Sequence, residues 1–377
     1  MRRARWLAPW KDSIEKPVIY HCVTRVVERR LAFGAEEKEQ FRTYMRMYEN
    51  FSGCRVLAYC LMCNHVHILL EVPPMQKGGL TDEELLKRLR VIYPEVAVRL
   101  VAKELREARK AIREGLAAES YVAAIHERYT YRMHDLGEFM KTLLARFTRW
   151  FNTRHERTGT LWESRFKSVL VEDGIASRTM AAYIDLNPVR AGMAADPADY
   201  RWSSYGEAMG GGARGNGKKA RAGLVRAILA HKMEAPNPKH EIRSEELAGQ
   251  WKEASKAYRM ILLAEGEEKV LEEPGAEGRV EVKVLRKGMK KEFVEAELAR
   301  LERSRDVALG KMLRCRVRYF TDGAVIGSRE FVDGVFTRCR DRFGGNRKDG
   351  ARKLRGSGAA AAGRLWSVRD LRKGIVG

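Results

Sequence analysis

The sequence is short of the features that mark secreted, membrane-bound or cross-linked proteins. It has 6 cysteines in 377 residues, which do not make a disulfide framework, and they are expected to be reduced. No apolar run approaches the roughly 18–20 residues of a membrane span. The amino terminus, Met1-Arg2-Arg3-Ala4-Arg5-Trp6, is basic, but no apolar stretch follows it, so a signal peptide is not expected and the location expected is cytoplasmic. Acid is short as well: 50 Asp and Glu stand against 72 Lys and Arg, a net charge of +22. An excess of that size favours a polyanionic partner, nucleic acid before a membrane surface, because no basic amphipathic anchor with a clear apolar face is present. A protein bound to DNA in this way would be nucleoid-associated.

The chain is organised around Cys63-Asn64-His65-Val66-His67-Ile68-Leu69-Leu70-Glu71-Val72, which reads as a buried strand. A strand has a side-chain period of 2, so His65 and His67 point to one face and Val66 to the other. Two imidazoles side by side can share a divalent cation; the bland alternative is that they line a sheet face. Upstream, Pro17 to Val27 reads as a strand, Glu36 to Phe51 as an amphipathic helix ending near Gly53, and Cys54 to Met62 as a second strand. Strand, helix, strand, strand is the first half of a β-α-β-β-α-β ferredoxin-like sandwich, an α+β fold. Thr81-Asp82-Glu83-Glu84 opens a charged helical insertion, about residues 77–134, with a capping-box pattern. Phe139, Met140, Leu143, Leu144, Phe147, Trp150 and Phe151 mark the second crossover helix, and Gly159 to Glu172 reads as the completing strand. On that strand Arg165 and Lys167 share a face.

Arg178 to Ala191 reads as a short helix that places Tyr183 and Asn187 one turn apart on the same side, with Pro188 ending or kinking it there. Taken alone, a helical tyrosine is a packed aromatic. Cys60-x-x-Cys63 ahead of the histidines permits a zinc reading, but all four residues lie on adjoining strands with no turn between the pairs, so structural zinc is not expected. His21 and His126 stand alone and read as ordinary. After Trp202 the composition changes. Residues 210–223 form a Gly-rich basic linker with Lys218 and Lys219, and 224–345 a mostly helical accessory region, with Glu267–Gly288 loosely structured. Two helices there around Thr321-Asp322-Gly323 read either as a helix-turn-helix-like unit or as a helical cap. Residues 346–377, with Arg347, Lys348, Arg352 and Lys353, read as a basic tail disordered until it meets DNA.

His65-Val66-His67 resembles the His-hydrophobe-His motif of HUH endonucleases. Ala182-Tyr183-Ile184-Asp185-Leu186-Asn187-Pro188-Val189-Arg190-Ala191-Gly192 resembles the tyrosine helix of single-tyrosine transposases, in particular REP-associated tyrosine transposases. Gly159 to Ser168 and Asp199-Tyr200-Arg201-Trp202-Ser203-Ser204-Tyr205 are similar to the remaining blocks of that family, and the blocks run in the family's order over about residues 12–209. The longer segment between the histidines and the tyrosine and the carboxyl-terminal extension depart from the family's pattern. The resemblance implies a DNA nicking and strand-transfer enzyme acting on single-stranded, hairpin-forming repeats. It implies Tyr183 as nucleophile forming a 5′-phosphotyrosine, and Mg²⁺ or Mn²⁺ on His65, His67 and Asn187. Arg165, Lys167, Arg190 and the basic residues of the linker and tail would contact DNA, with either a monomer or a homodimer acting. A non-catalytic nucleic-acid-binding protein and a replication-initiator or relaxase-like nickase are the alternatives.

Overall fold

The computed structural model describes residues 7–12, 15–75, 78–210, 217–229, 244–274, 280–302, 320, 323–343, 347–354 and 365–369. Strand β1 (Val18–Arg25) leads into helix α1 (Ala35–Ser52), which stops at Gly53 because the chain turns left-handed there, at φ 75°. Strands β2 (Arg55–Leu61) and β3 (His65–Val72) form the expected tight hairpin. The insertion is helical as expected: α2 (Asp82–Leu89), α3 (Glu95–Arg113) and α4 (Ser120–Thr130). Thr81 and Glu84 cap α2 reciprocally, as their spacing predicted. Helix α5 (Leu136–Arg154) then crosses back to β4 (Lys167–Val171). The regular strand is shorter than the 159–172 read from sequence; upstream of it only Trp162 bridges, to Val26.

The four strands lie in the order β2-β3-β1-β4 with every neighbour antiparallel, the topology of the ferredoxin-like sandwich. Alternation divides the strand side chains between two cores. Tyr20, Cys22, Ile68, Leu70 and Leu170 face α1 and α5, where Phe41 and Phe147 meet edge to face at 5.0 Å. Ile19, Leu69, Val169 and Val171 face the opposite way, under α6 (Ile175–Asp185) and the short α7 (Asn187–Arg190). The same layer holds α8 (Ser204–Met209), α9 (Gly217–Leu229), α10 (Ser244–Gly266) and α11 (Lys291–Glu302).

Beyond residue 209 the structure departs from the sequence reading in three places. Residues 217–223 are not linker but the first turns of α9, lying directly on β2; a Cβ at Gly223 would come 2.3 Å from the Val56 carbonyl, so glycine is what allows the approach. Residues 211–216 fall outside the described residues. Secondly, 269–274 and 280–286 form a hairpin, β5 (Lys269–Pro274) with β6 (Val280–Arg286), where loose structure was expected. Thirdly, β7 (Gly323–Gly327) runs parallel to β4, and β8 (Arg352–Lys353) and β9 (Trp366–Arg369) follow it, giving one sheet ordered β2-β3-β1-β4-β7-β9-β8. Ala324, Val325 and Ile326 are fully buried, as befits a strand covered on both faces. Strand β7 leads into α12 (Arg329–Arg338), while residues 303–319 and 321–322, on which the first helix and the turn of the expected helix-turn-helix fall, lie outside the described residues; part of the expected disordered tail is sheet.

Helix α9 is fastened to the sheet by charge. Arg226 donates to buried Glu71 at 2.6 Å and to Asp173 at 2.7 Å, and Arg55 reaches Glu71 from the other side at 2.8 Å. Removing one partner of such a pair strands the other's charge in a dry site. Arg226→Ala should therefore lower stability by about 3 kcal/mol, while Arg226→Met with Glu71→Gln recovers most of it, read as urea midpoints. An unchanged midpoint for Arg226→Ala would show that Arg55 alone neutralises Glu71.

Candidate active site

The site is written in the register of β1, β3 and β4. Arg25 stands opposite His65, Val23 opposite His67, His21 opposite Leu69, and Lys167 opposite Val23 on the far side of β1. Directly opposed residues share a face, so His21, Arg25, His65, His67 and Lys167 all belong to the side that carries α6. The two histidines of the motif stand edge to face, 4.9 Å between ring centroids. Lys167 lies two strand spacings from His67, about 10 Å.

Helix α6 lowers Tyr183 onto this row. Its ring meets His67 edge to face at 5.9 Å and His21 at 6.1 Å. Phe320 stacks on it at 4.6 Å and 13°, and the Arg190 guanidinium stands 5.5 Å from its centroid. Tyr183 is only 2% exposed. Asn187 has a local reason to be where it is. Pro188 brings no N–H to the Ile184 carbonyl four residues back, and the Asn187 amide substitutes, donating to Ile184 at 3.2 Å and to the Tyr183 carbonyl at 3.0 Å. That leaves Oδ1 as the acceptor of the side chain. Behind Tyr183, fully buried Asp185 ties α6 to its neighbours by accepting from Ser204 Oγ, Tyr205 N–H and Tyr258 Oη at 2.7–3.0 Å.

Of the residues singled out in the sequence, His65, His67, Tyr183 and Arg190 come together here, with Lys167 on the same sheet face and Asn187 one turn along the tyrosine helix. Arg165 is exposed just before β4. Lys218 and Lys219 are exposed at the start of α9. Arg352 and Lys353 sit on the outermost strand, five strand spacings from β3, about 24 Å. Lys348 is exposed near them. Arg347 is engaged, donating to the Asp349 and Gly350 carbonyls and lying over Phe336 and Phe343. Cys60 opposes His67 across β2 and β3, but burial holds its thiol well above the usual range and its sulfur contacts Met62 at 3.5 Å. Tyr205 is a core residue against Tyr258.

Two contributors escaped the sequence reading. His21, read as ordinary, hydrogen-bonds His67, Nε2 to Nδ1 at 3.0 Å. Phe320 holds His21 Nδ1 through its carbonyl at 2.7 Å. The only sequence signal for His21 was its place in a strand, and that needs the register with β3 to become a contact.

Burial makes all three imidazoles poor bases. His21 is pulled down to about 4 by desolvation, His65 to about 4 by desolvation and then Arg25, and His67 well below the usual value by desolvation and its histidine neighbours. They are therefore neutral at neutral pH, the state in which an imidazole binds a metal. The Arg190 guanidinium, lowered to about 10 by burial and Arg286, makes no hydrogen bond or ion pair among the described residues. It has donors to offer an anion. Among the described residues no three His, Cys, Asp or Glu side chains gather at metal-binding distance. The donors nevertheless fit a divalent ion: His65 Nδ1 points at the Asn64 amide oxygen at 2.7 Å, which accepts, so Nε2 keeps its lone pair.

The sign of the pH dependence follows. From pH 6.5 down to about 4 the unfolded chain protonates its histidines while the folded chain does not, so their contribution to stability is lost as pH falls through that window. Asp185, raised by burial from 3.8 to about 6, acts oppositely between those values. Three histidines outweigh one carboxylate, so the metal-free protein should have a lower urea midpoint at pH 5 than at pH 7. No difference would mean that the fold carries these histidines charged.

Compared with known proteins, the chain has no curated match. A solved REP-associated tyrosine transposase bound to a REP hairpin is similar over 56% of this chain and 86% of its own, at 10% identity and a TM-score of 0.33, too loose a likeness to argue from. The family model described as "Transposase IS200 like" matches residues 16–80. That stretch holds β1, α1, β2 and β3 with His21, His65 and His67, so the histidine side of the site stands on IS200-transposase-like sequence.

Proposed function

We propose that the protein is a DNA nicking and joining enzyme of the transposase type, with Tyr183 as nucleophile. The observation that carries this is the Tyr183 ring set against His67 and His21, although residue 183 reaches them from another element of the chain. The Tyr183 oxygen gives up its proton as it attacks the scissile phosphorus, the P–O3′ bond breaks to leave a 5′-phosphotyrosine, and the released 3′ oxygen takes a proton to become a hydroxyl. Because the ester is retained, that hydroxyl or another can attack it in turn, which joins strands without a nucleotide cofactor. His65 and His67, with Asn187 Oδ1 as a neutral third ligand, would hold Mg²⁺ or Mn²⁺. Such an ion, when bound, neutralises charge on the phosphate oxygens. Arg190 offers its donors beside Tyr183 to the same anion, and Lys167 extends the cationic face along β4. Tyr183 has almost no free surface, so a phosphate meets its hydroxyl only after part of its cover yields.

The substrate class proposed is single-stranded DNA folded as a hairpin, on the resemblance of the tyrosine helix and the blocks around it. A non-catalytic nucleic-acid binder on the same sandwich is the reading to beat. It has no use for a phenol on two neutral imidazoles. Replication initiation would use the same chemistry in another role.

Tyr183→Phe keeps the ring and its stacking and removes one oxygen. The covalent adduct with DNA labelled 3′ of the cut should vanish on a denaturing gel while hairpin binding stays within a few-fold. Absence of an adduct from the wild type across many hairpins, with Mg²⁺ or Mn²⁺ supplied, would favour the binder. The outlying basic residues test separately. Each phosphate neutralised on a single strand adds about −0.7 to the slope of log K against log salt, so Arg352→Ala with Lys353→Ala should flatten it by about 1.4 if both contact DNA. Substitution is preferable to truncation, which would strip β8 and β9 from the sheet.

A further inference from the structure

We infer that His21 is a positioning residue for the histidine pair: it fixes the tautomer of His67 so that Nε2 of His67 is a lone-pair donor, and takes its own tautomer from the Phe320 carbonyl. The proposal rests on the metal-binding reading above and adds a residue to it.

The chain of hydrogen bonds has one end at which the proton has no choice. A carbonyl oxygen only accepts, so the 2.7 Å contact between Phe320 O and His21 Nδ1 requires the proton on Nδ1. A neutral imidazole carries one such proton, and His21 is completely buried, where the charged form is disfavoured. Its Nε2 is then an acceptor. The 3.0 Å contact of that atom with His67 Nδ1 therefore takes its proton from His67. His67, itself neutral, is left with its lone pair on Nε2. The rings lie 12° from parallel with centroids 5.2 Å apart, so the bond joins nitrogens of two nearly parallel rings. The strand register makes this a diagonal neighbour contact: His21 opposes Leu69, two residues beyond His67 on the same face.

His65 reaches the same state by another device, donating from Nδ1 to the Asn64 side chain. Both imidazoles of the pair thus keep Nε2 unprotonated, one through a neighbour in the hairpin, the other through two bonds that end in the carboxyl-terminal extension. Without His21, no other described residue holds the proton of His67 on Nδ1, and the alternative tautomer with Nε2–H has no lone pair there for a metal. Partners that orient a metal-binding histidine are worth roughly 10–100-fold in affinity.

The test uses the full chain, metal-free, with ¹⁵N-labelled histidine. Two-bond proton–nitrogen spectra, with His67 assigned by its loss in His67→Gln, should show the Nδ1–H form in the wild type. His21→Leu should abolish that form and weaken Mn²⁺ binding, followed by the free-ion resonance signal, by roughly 10–100-fold. His21→Gln places a carbonyl oxygen near the position of Nε2 and should restore both to within a few-fold. Circular dichroism checks that each variant folds. An Nε2–H His67 in the wild type, a His21→Leu protein with unchanged tautomer and affinity, or equal losses in the Leu and Gln variants would overturn the proposal. A wild type that shows the Nδ1–H form, lost in His21→Leu and kept in His21→Gln, but binds no Mn²⁺ supports the hydrogen-bond chain and sinks the metal reading instead.

Discussion

The pairing of β1 with β3 is the constraint on which the rest of the site depends. Its register runs unbroken from Val18 against Val72 to Arg25 against His65. Shifting it by one residue would reverse which face each side chain takes relative to its partner strand. His21 would then leave His67 and turn toward α1 and α5, into the core built on Phe41 and Phe147. Burial on both faces forbids such a slip, because Tyr20, Cys22, Ile68 and Leu70 fill one core while Ile19 and Leu69 fill the other. The hydrophobic pattern that makes the sandwich stable is thus also what aims the imidazoles. The arrangement of the imidazoles needs no support of its own at this level.

Much of this was readable from residues. The period of a strand was enough to put His65 and His67 on one face, and the period of a helix enough to put Asn187 on the side of Tyr183. What could not be read was contact across the sequence. His21 and His67 are 46 positions apart and His21 and Phe320 are 299 apart, and neither separation carries a periodic signal. The extension hides its sheet strands for a similar reason. Gly323-Ala-Val-Ile-Gly327 is too short to show alternation, and nothing local says that it will add to β4. Gly223 looked like part of a glycine-rich linker until its closeness to the Val56 carbonyl gave it a purpose. Composition identified flexible sequence there; packing against β2 decided otherwise.

The charge of the protein is organised on two scales. At the histidines, burial removes charge: three imidazoles are held neutral, and the cations beside them are Arg25, Lys167 and Arg190. Far along the sheet, Arg352 and Lys353 stand exposed on the edge strand. A single strand of DNA is about as long as the distance between these regions after only a few nucleotides, so one chain of phosphates can engage both. Under the proposed function the outer residues would supply salt-dependent attraction, whereas Arg190 would act in a largely buried setting where one ion–phosphate contact counts for more. Neutral histidines make that division workable. Were they charged, they would repel both the neighbouring arginines and any divalent cation, and the site would bind phosphate as a passive basic cleft. By staying neutral they keep lone pairs that a metal could use, and under the proposed function the surrounding cations would meet the anion that the Tyr183 oxygen attacks.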